Sequence, residues 1–95
     1  MNESYPERAV LIVDDEESVV RGIALTLQSA GITNHIGCTD ARTVMDILSG
    51  KGAELIVLDL TMPYISGEEV LRSVSEHYPD IPVVVVTAVN DVDTA

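Results

Sequence analysis

The sequence predicts an α/β fold in which helices cover both faces of a doubly wound parallel β-sheet. Short apolar runs alternate along the chain with stretches that place apolar residues at helical spacing. Runs without polar alternation are typical of strands buried on both faces, and strands that alternate with helices form parallel sheets through right-handed crossovers. Hydrophobic residues make up 46% of the 95 residues, without Phe or Trp, so we expect one small domain with an aliphatic core.

The first half of the chain predicts two strands and two helices. Ala9–Val13 is a continuous apolar run that stops at four consecutive acidic residues. The helix that follows precedes Gly31, a residue type common after helix C-termini, and its inner face consists of Val20, Ile23, Ala24 and Leu27. Residues 34–38 form the expected second strand. Thr39-Asp40 can cap a second helix, whose inner face consists of Ala41, Val44, Met45 and Leu48.

The second half continues the alternation with a strand, a loop and a helix. Leu55–Leu58 is an apolar run that closes on Asp59, and Pro63 prevents a helix from running through the loop that follows. Ser66 and Glu69 have the spacing of a capping box, which indicates the start of a third helix. The inner face of this helix consists of Val70, Leu71 and Val74.

A last apolar run, Val83–Val86, predicts a further strand that is buried on both faces and ends at Thr87. The expected order is therefore β-α-β-α-β-α-β, followed by the first residues of a fourth helix. In open parallel sheets of this kind the functional groups lie at the carboxyl ends of the strands.

Polar residues follow three of the predicted strands at their carboxyl ends. Asp14 and Asp15 follow the first strand, Asp59 follows the third, and Thr87 follows the fourth. Two carboxylates about 5 Å apart repel each other by about 3 kcal/mol at an effective dielectric constant of 20. A hard divalent cation with oxygen ligands, Mg²⁺, relieves that repulsion and leaves positions for a phosphoryl oxygen. The pattern predicts an aspartate that accepts a phosphoryl group with the help of a metal ion.

At these residues the chain resembles the receiver domain of bacterial two-component response regulators. The resemblance rests on three separated stretches, 10–16, 58–67 and 82–88, which contain the acidic pair, the motif Asp-x-x-Met-Pro-x-x-x-Gly and a strand that ends in Thr-Ala. It implies a flavodoxin-like sheet with strand order 2-1-3-4. Residues 1–8 would be an N-terminal extension and residues 9–95 a receiver domain that lacks most of helix 4, strand 5 and helix 5.

The same resemblance implies the metal site. Asp59 and Asp15 would bind Mg²⁺ directly, and Asp14 would bind it directly or through water. The backbone carbonyl of Thr61 would complete the set of protein ligands.

The resemblance also implies how the phosphoryl group is bound. Asp59 would accept it from a phosphohistidine of a sensor histidine kinase. Thr87 would donate a hydrogen bond to the phosphoryl group and turn inward as the switch, while the backbone amides of Thr61 and Ala88 would contact its other oxygens. The reaction would be stoichiometric, so the domain would not be an enzyme with turnover.

The chain departs from the family pattern at one functional position. The family has a lysine at the end of the fifth strand that contacts the acyl phosphate, whereas the one lysine here is Lys51, between the second helix and the third strand. We therefore expect phosphorylation of this chain by itself to be impaired, and a parent protein to supply the missing strand and an output domain.

Charge and composition exclude several classes of function. The formal net charge of −11 disfavours direct binding to nucleic acid and to anionic membrane surfaces. The longest apolar runs are too short to cross a bilayer, residues 1–6 do not have the pattern of a signal peptide, and the single Cys38 cannot form an internal disulfide. These features predict a cytoplasmic protein.

Two other functions are compatible with the same residues. A Mg²⁺-dependent phosphohydrolase with an aspartyl nucleophile has a similar sheet, although such enzymes usually have a second acid at the position of Thr61. A non-phosphorylatable interaction module would keep the fold without the activity. Without the fifth strand, the outer edge of Val83–Val86 would be exposed and would favour a homodimer, a strand-swapped dimer or aggregation.

Overall fold

The computed structural model describes residues 5–60 and 66–86. It contains four strands, three α-helices and one 3₁₀ turn within those ranges. In chain order they are β1 (Val10–Val13), α1 (Glu17–Ser29), β2 (His35–Cys38), a 3₁₀ turn (Ala41–Thr43), α2 (Val44–Gly50), β3 (Leu55–Asp59), α3 (Gly67–His77) and β4 (Val83–Val86).

The four strands form one parallel sheet in the order β2-β1-β3-β4, which confirms the predicted fold class and strand order. The first strand is central and pairs with a neighbour on each side: Val13 lies opposite Cys38 of β2 and opposite Leu58 of β3. The strand order reverses between β2 and β3, so the carboxyl end of β1 lies where doubly wound folds have their functional sites.

The helices lie on opposite faces of this sheet. Ile36 and Cys38 of β2 belong to the cluster formed with α2 and α3, whereas Gly37 between them faces Val20 of α1. Successive residues of a strand point to opposite faces, so α1 covers one face and the other two helices cover the second. A Cβ atom on Gly37 would lie 2.6 Å from the Val20 Cγ1 atom, so only glycine allows α1 to approach this closely.

The core lies between the sheet and the face that carries α2 and α3. It consists of Leu11, Val13, Cys38, Ala41, Val44, Leu48, Ala53, Ile56, Leu58, Val70 and Val74. The predicted inner faces of these two helices are confirmed, with Met45 and Leu71 half-buried at the border. The second helix starts with a 3₁₀ turn, which Asp40 caps by accepting a hydrogen bond from the Arg42 N–H at 3.0 Å.

The first helix packs less completely than its periodicity suggests. All four residues of its predicted inner face are only half-buried, and no residue of α1 is fully buried. Leu25 on the same helix is 63% exposed. Within the described ranges α1 is the only helix on its face of the sheet, so its apolar stripe is covered from the sheet side alone.

The expectation that β4 is buried on both faces is wrong. Val84, Val85 and Val86 are 48%, 39% and 40% exposed. In the described part of the chain β4 pairs only with β3, and its other side carries no further strand. A continuous valine run indicates a strand here, but burial depends on neighbours that the run itself does not specify.

Residues 5–8 lie against the segment that leads into β2. The carbonyl of Tyr5 accepts hydrogen bonds from the N–H groups of Thr33 and Asn34 at 2.8 and 3.1 Å. The Asn34 side-chain amide donates to the carbonyls of Pro6 and Glu7 at 2.9 and 3.1 Å. The residues before the predicted domain start are therefore fastened to the amino end of the sheet, opposite the carboxyl ends of its strands.

Candidate functional site

Three aspartates meet at the carboxyl ends of the two central strands. Asp59 is the last residue of β3, and Asp14 directly follows β1. Because Val13 and Leu58 are partners in the register, the residues after them are neighbours across the sheet. The Asp14 N–H donates to the Cys38 carbonyl at 3.1 Å, which extends the β1–β2 ladder to this residue and fixes its backbone.

The three side chains can present oxygen atoms to a common point. One carboxylate oxygen from each of Asp14, Asp15 and Asp59 lies within 4.8 Å of the others. Asp14 and Asp59 are 8% and 9% exposed, whereas Asp15 is exposed. The cluster therefore has a nearly buried base, formed by two carboxylates, and an open side toward solvent at the third.

The pKa of Asp14 is raised above its usual range, mainly because burial disfavours the charged form. The Glu16 N–H donates a hydrogen bond to the Asp14 Oδ1 atom at 2.9 Å, and this bond opposes the shift. The negative charges of Asp59, Asp15 and Glu16 raise the pKa further. Among these neighbours the Glu16 N–H stabilises the charged form of Asp14, whereas burial and the three nearby acidic groups disfavour it.

This donor set fits a hard divalent cation. Two charges 4.8 Å apart repel each other by about 3 kcal/mol at an effective dielectric constant of 20. Mg²⁺ binds oxygen ligands at about 2.0–2.1 Å and keeps several waters, so one or two direct carboxylate ligands suffice and a third can bind through water. The open side at Asp15 leaves space for such waters.

Not all residues predicted for the site can be placed. Thr61, Thr87 and Ala88 lie outside the described residues, so their assigned contacts remain predictions. Lys51 follows α2 and precedes β3, whereas Asp59 ends that strand. A five-residue strand is about 13 Å long, so Lys51 lies at the opposite edge of the sheet from the aspartates.

Two backbone features of the site were not anticipated from the sequence. One is the hydrogen bond from the Glu16 N–H to Asp14, a local turn that an Asp two residues before a helix N-cap can indicate. The other is the close approach of Gly67 to the Asp59–Leu60 backbone. The motif Asp-x-x-Met-Pro-x-x-x-Gly contains Gly67, but the spacing of the motif does not reveal which atoms this glycine contacts.

A family model described as "Response regulator receiver domain" matches residues 10–95. The chain belongs to the response regulator receiver domain family. Receiver domains are regulatory phosphoacceptors of two-component signalling and are not classical enzymes. The expected family and fold are therefore confirmed for this receiver domain.

Curated relatives and a solved structure agree with this assignment. The receiver domain is 39% identical to "Response regulator RR06" of Streptococcus pneumoniae over 90% of the chain, and 36% identical to "Regulatory protein LuxO" of Vibrio vulnificus over 88%. It spans 38% and 18% of the lengths of these proteins. A response regulator receiver protein from Pseudomonas putida, 26% identical, superimposes with a TM-score of 0.79 over 99% of this chain and 76% of its own.

Along its described residues the receiver domain has no helix that is long and apolar enough to cross a membrane.

Proposed function

We propose that this receiver domain accepts a phosphoryl group on Asp59 from a phosphohistidine of a sensor histidine kinase, with Mg²⁺ held by Asp14, Asp15 and Asp59. The observation that supports this most directly is the convergence of the three carboxylates within 4.8 Å at the ends of β1 and β3. The exchange would take place in the cytoplasm, and a longer parent protein would contain an output domain.

The environments of the three aspartates support different roles. Asp14 is nearly buried and its Oδ1 atom already accepts the Glu16 N–H, so it is oriented as a metal ligand. Asp15 is exposed and suits a ligand on the solvent side. Asp59 ends the strand between β1 and β4, where its carboxylate lies beside both ligands. We therefore assign the nucleophile to Asp59.

In the proposed step a carboxylate oxygen of Asp59 attacks the phosphorus atom of the phosphohistidine. A bond from oxygen to phosphorus forms, the bond from phosphorus to the imidazole nitrogen breaks, and the histidine leaves as neutral imidazole after taking up a proton. Mg²⁺, when bound, neutralises charge on the phosphoryl oxygens. Asp14 and Asp15 hold the ion beside the nucleophile, which aligns the reacting groups.

Three residues outside the described ranges complete the proposal. Thr61 would provide a backbone carbonyl to the metal and a backbone amide to the phosphoryl group. The Ala88 amide would contact a second phosphoryl oxygen, and the Thr87 hydroxyl would donate to the phosphoryl group and change position on phosphorylation. These roles rest on the family resemblance of the motifs.

Mg²⁺ is expected to raise the melting temperature of the domain, because binding relieves the repulsion that folding creates when it brings Asp59 beside Asp14 and Asp15. At about ten times its Kd, the ion should add about 1.4 kcal/mol to the free energy of unfolding, or roughly 5–10 °C. Differential scanning fluorimetry in millimolar Mg²⁺ measures this shift. Asp15→Asn should reduce it, and an equal shift in that variant would contradict the metal site.

We further propose that the chain by itself associates through the outer edge of β4. The Ile56 N–H donates to the Pro82 carbonyl at 3.0 Å, so in a parallel ladder the amides of Val83 and Val85 point away from β3. Among the residues that the structure describes, no strand pairs with these amides. Such amides beside exposed valines are a template for another strand. Light scattering should show dimers or larger species that form with increasing concentration.

The matched variants for this association are Val84→Lys and Leu25→Lys. Each places the same charge at an exposed apolar position, one on the edge strand and the other on α1. Val84→Lys should be monomeric at concentrations where Leu25→Lys still associates. A monomeric unmodified chain at high concentration would exclude the edge as an interface.

A further inference from the structure

The first residue of α3 lies directly against the end of β3. The Gly67 N–H donates to the Leu60 carbonyl at 3.1 Å. A Cβ atom on Gly67 would collide with the Leu60 Cα atom and would lie 2.5 Å from the Asp59 carbonyl oxygen and 3.0 Å from the Leu60 carbonyl carbon. All three are backbone atoms, so no side chain can rotate away to make room.

Space, and not backbone conformation, is what requires glycine at this position. The glycines with positive φ in the described ranges are Gly31 and Gly52. Gly67 belongs to the regular part of α3, after the N-cap residue Ser66. An alanine would adopt that conformation readily and would improve helix propensity. Only the contact with the Asp59–Leu60 backbone opposes it.

The two sides of this contact differ in how firmly they are held. The helix is anchored by Val70 and Val74, which are 5% and 1% exposed, and by the Ser66 side chain, which accepts the Glu69 N–H at 3.2 Å. Asp59 is the last residue of its strand, and its register partner Val86 is the last residue of β4. An added methyl group would therefore displace the strand end more than the helix.

We propose that Gly67 is a positioning residue for Asp59. By leaving out a side chain it lets the first turn of α3 rest against the Asp59–Leu60 peptide, and this contact holds the Asp59 carboxylate within 4.8 Å of Asp14 and Asp15. The inference rests on the proposed function, because it assigns to Gly67 an effect on metal binding at that site.

The test compares Gly67→Ala with Leu48→Ala. The second substitution also destabilises the domain, but it removes core contacts of α2 and leaves the side chains that anchor α3 in place. Both substitutions are made in a background that carries Gly22→Ala and Gly50→Ala. A Cβ atom at either of these helical positions meets no atom within 4 Å, so both changes should raise the melting temperature and keep the variants folded.

Isothermal titration calorimetry with Mg²⁺ gives the Kd of the folded protein, and circular dichroism at the same temperature verifies that each variant is folded. Gly67→Ala should weaken Mg²⁺ binding about tenfold, the lower end of what a displaced supporting contact costs at a metal site. Leu48→Ala should bind Mg²⁺ with the Kd of the background protein. Amide hydrogen exchange should show faster exchange at the end of β3 only for Gly67→Ala.

Each result has a definite meaning. Unchanged Mg²⁺ affinity in folded Gly67→Ala, or an equal loss in Leu48→Ala, would overturn the positioning role while leaving the proposed function intact. Failure of Gly67→Ala to fold where Leu48→Ala folds would also overturn it, because the contact would then be a requirement of folding. If the background protein does not bind Mg²⁺ at all, the metal part of the proposed function fails instead.

Discussion

Asp59→Asn is expected to abolish phosphorylation of the domain. The amide has almost the same shape as the carboxylate, so the end of β3 should remain intact, but its neutral oxygen is a poor nucleophile. Incubation with acetyl phosphate and Mg²⁺, followed by intact-mass spectrometry, should show up to one phosphoryl group per unmodified chain and none on the variant. The modification should be stable in acid and labile in base, as expected of an acyl phosphate.

The control for this experiment is Asp46→Asn, which removes an exposed carboxylate on α2 and should not change labelling. Labelling of Asp59→Asn at the level of the unmodified chain would exclude Asp59 as the acceptor. Multiple turnover of a small phosphoester by the unmodified chain would favour the phosphohydrolase alternative. Absence of labelling with Mg²⁺ bound would favour an interaction module.

The lysine of the family can be tested in the same assay. Lys51 lies at the opposite edge of the sheet from Asp59, so it cannot contact a phosphoryl group there. We propose that a longer version containing a fifth strand with the family lysine is labelled faster than this chain. Equal rates would show that the lysine is dispensable for phosphorylation.

Asp14→Asn is expected to stabilise the domain without Mg²⁺ and to remove most of the stabilisation that Mg²⁺ provides. The asparagine keeps an oxygen for the Glu16 N–H but removes one charge from the cluster. The repulsion of about 3 kcal/mol per pair of carboxylates sets an upper limit on this stabilisation. We expect Asp14→Asn to raise the free energy of unfolding by about 1–2 kcal/mol at neutral pH. Urea denaturation measures this difference.

The pH dependence follows from the raised pKa of Asp14, which is due first to burial and then to the neighbouring negative charges. The folded state binds the proton more tightly than the unfolded state does. Its contribution to stability is therefore fully present below the unfolded pKa of the carboxyl group and is lost as pH rises through the folded pKa. The advantage of Asp14→Asn over the unmodified chain should accordingly be largest at neutral pH and should shrink in acid.

In the presence of Mg²⁺ the unmodified chain should be more stable than Asp14→Asn. With the ion bound, the unmodified chain gains stability from all three carboxylates, whereas Asp14→Asn offers one charged ligand fewer. Asp46→Asn again serves as the control and should respond to Mg²⁺ like the unmodified chain. If Asp14→Asn is destabilised without Mg²⁺, or gains as much from the ion as the unmodified chain does, the carboxylate cluster does not control stability.

Local sequence patterns were sufficient for most of the secondary structure. The capping pair Ser66 and Glu69, with a hydrogen bond of 3.2 Å, marks the start of α3 as predicted. Gly31, with φ at +92°, follows α1 where its stop was expected. These features depend on residues within one or two turns of each other, so a short stretch of sequence contains the information needed to predict them.

Burial was predicted less well, because it depends on which elements become neighbours. The valine run of β4 has the pattern of a strand that is buried on both faces, yet three of its residues are more than a third exposed. The apolar stripe of α1 has correct helical spacing but is only half-buried. Periodicity identifies the apolar face of a helix or strand, and the tertiary arrangement decides how much of that face is buried.

The sequence by itself determined the alternation of strands and helices and the identity of the acidic residues, because these follow from local periodicity and from motifs at fixed spacing. The resemblance of those motifs implied the family and the strand order. Only the tertiary structure decided that Asp14 and Asp59 lie nearly buried within 4.8 Å of Asp15, and that Gly67 lies directly against the Asp59–Leu60 backbone. The reason is physical: the electrostatic energy of the site depends on distances and burial across strands far apart in the chain. Those quantities exist only after the sheet has formed.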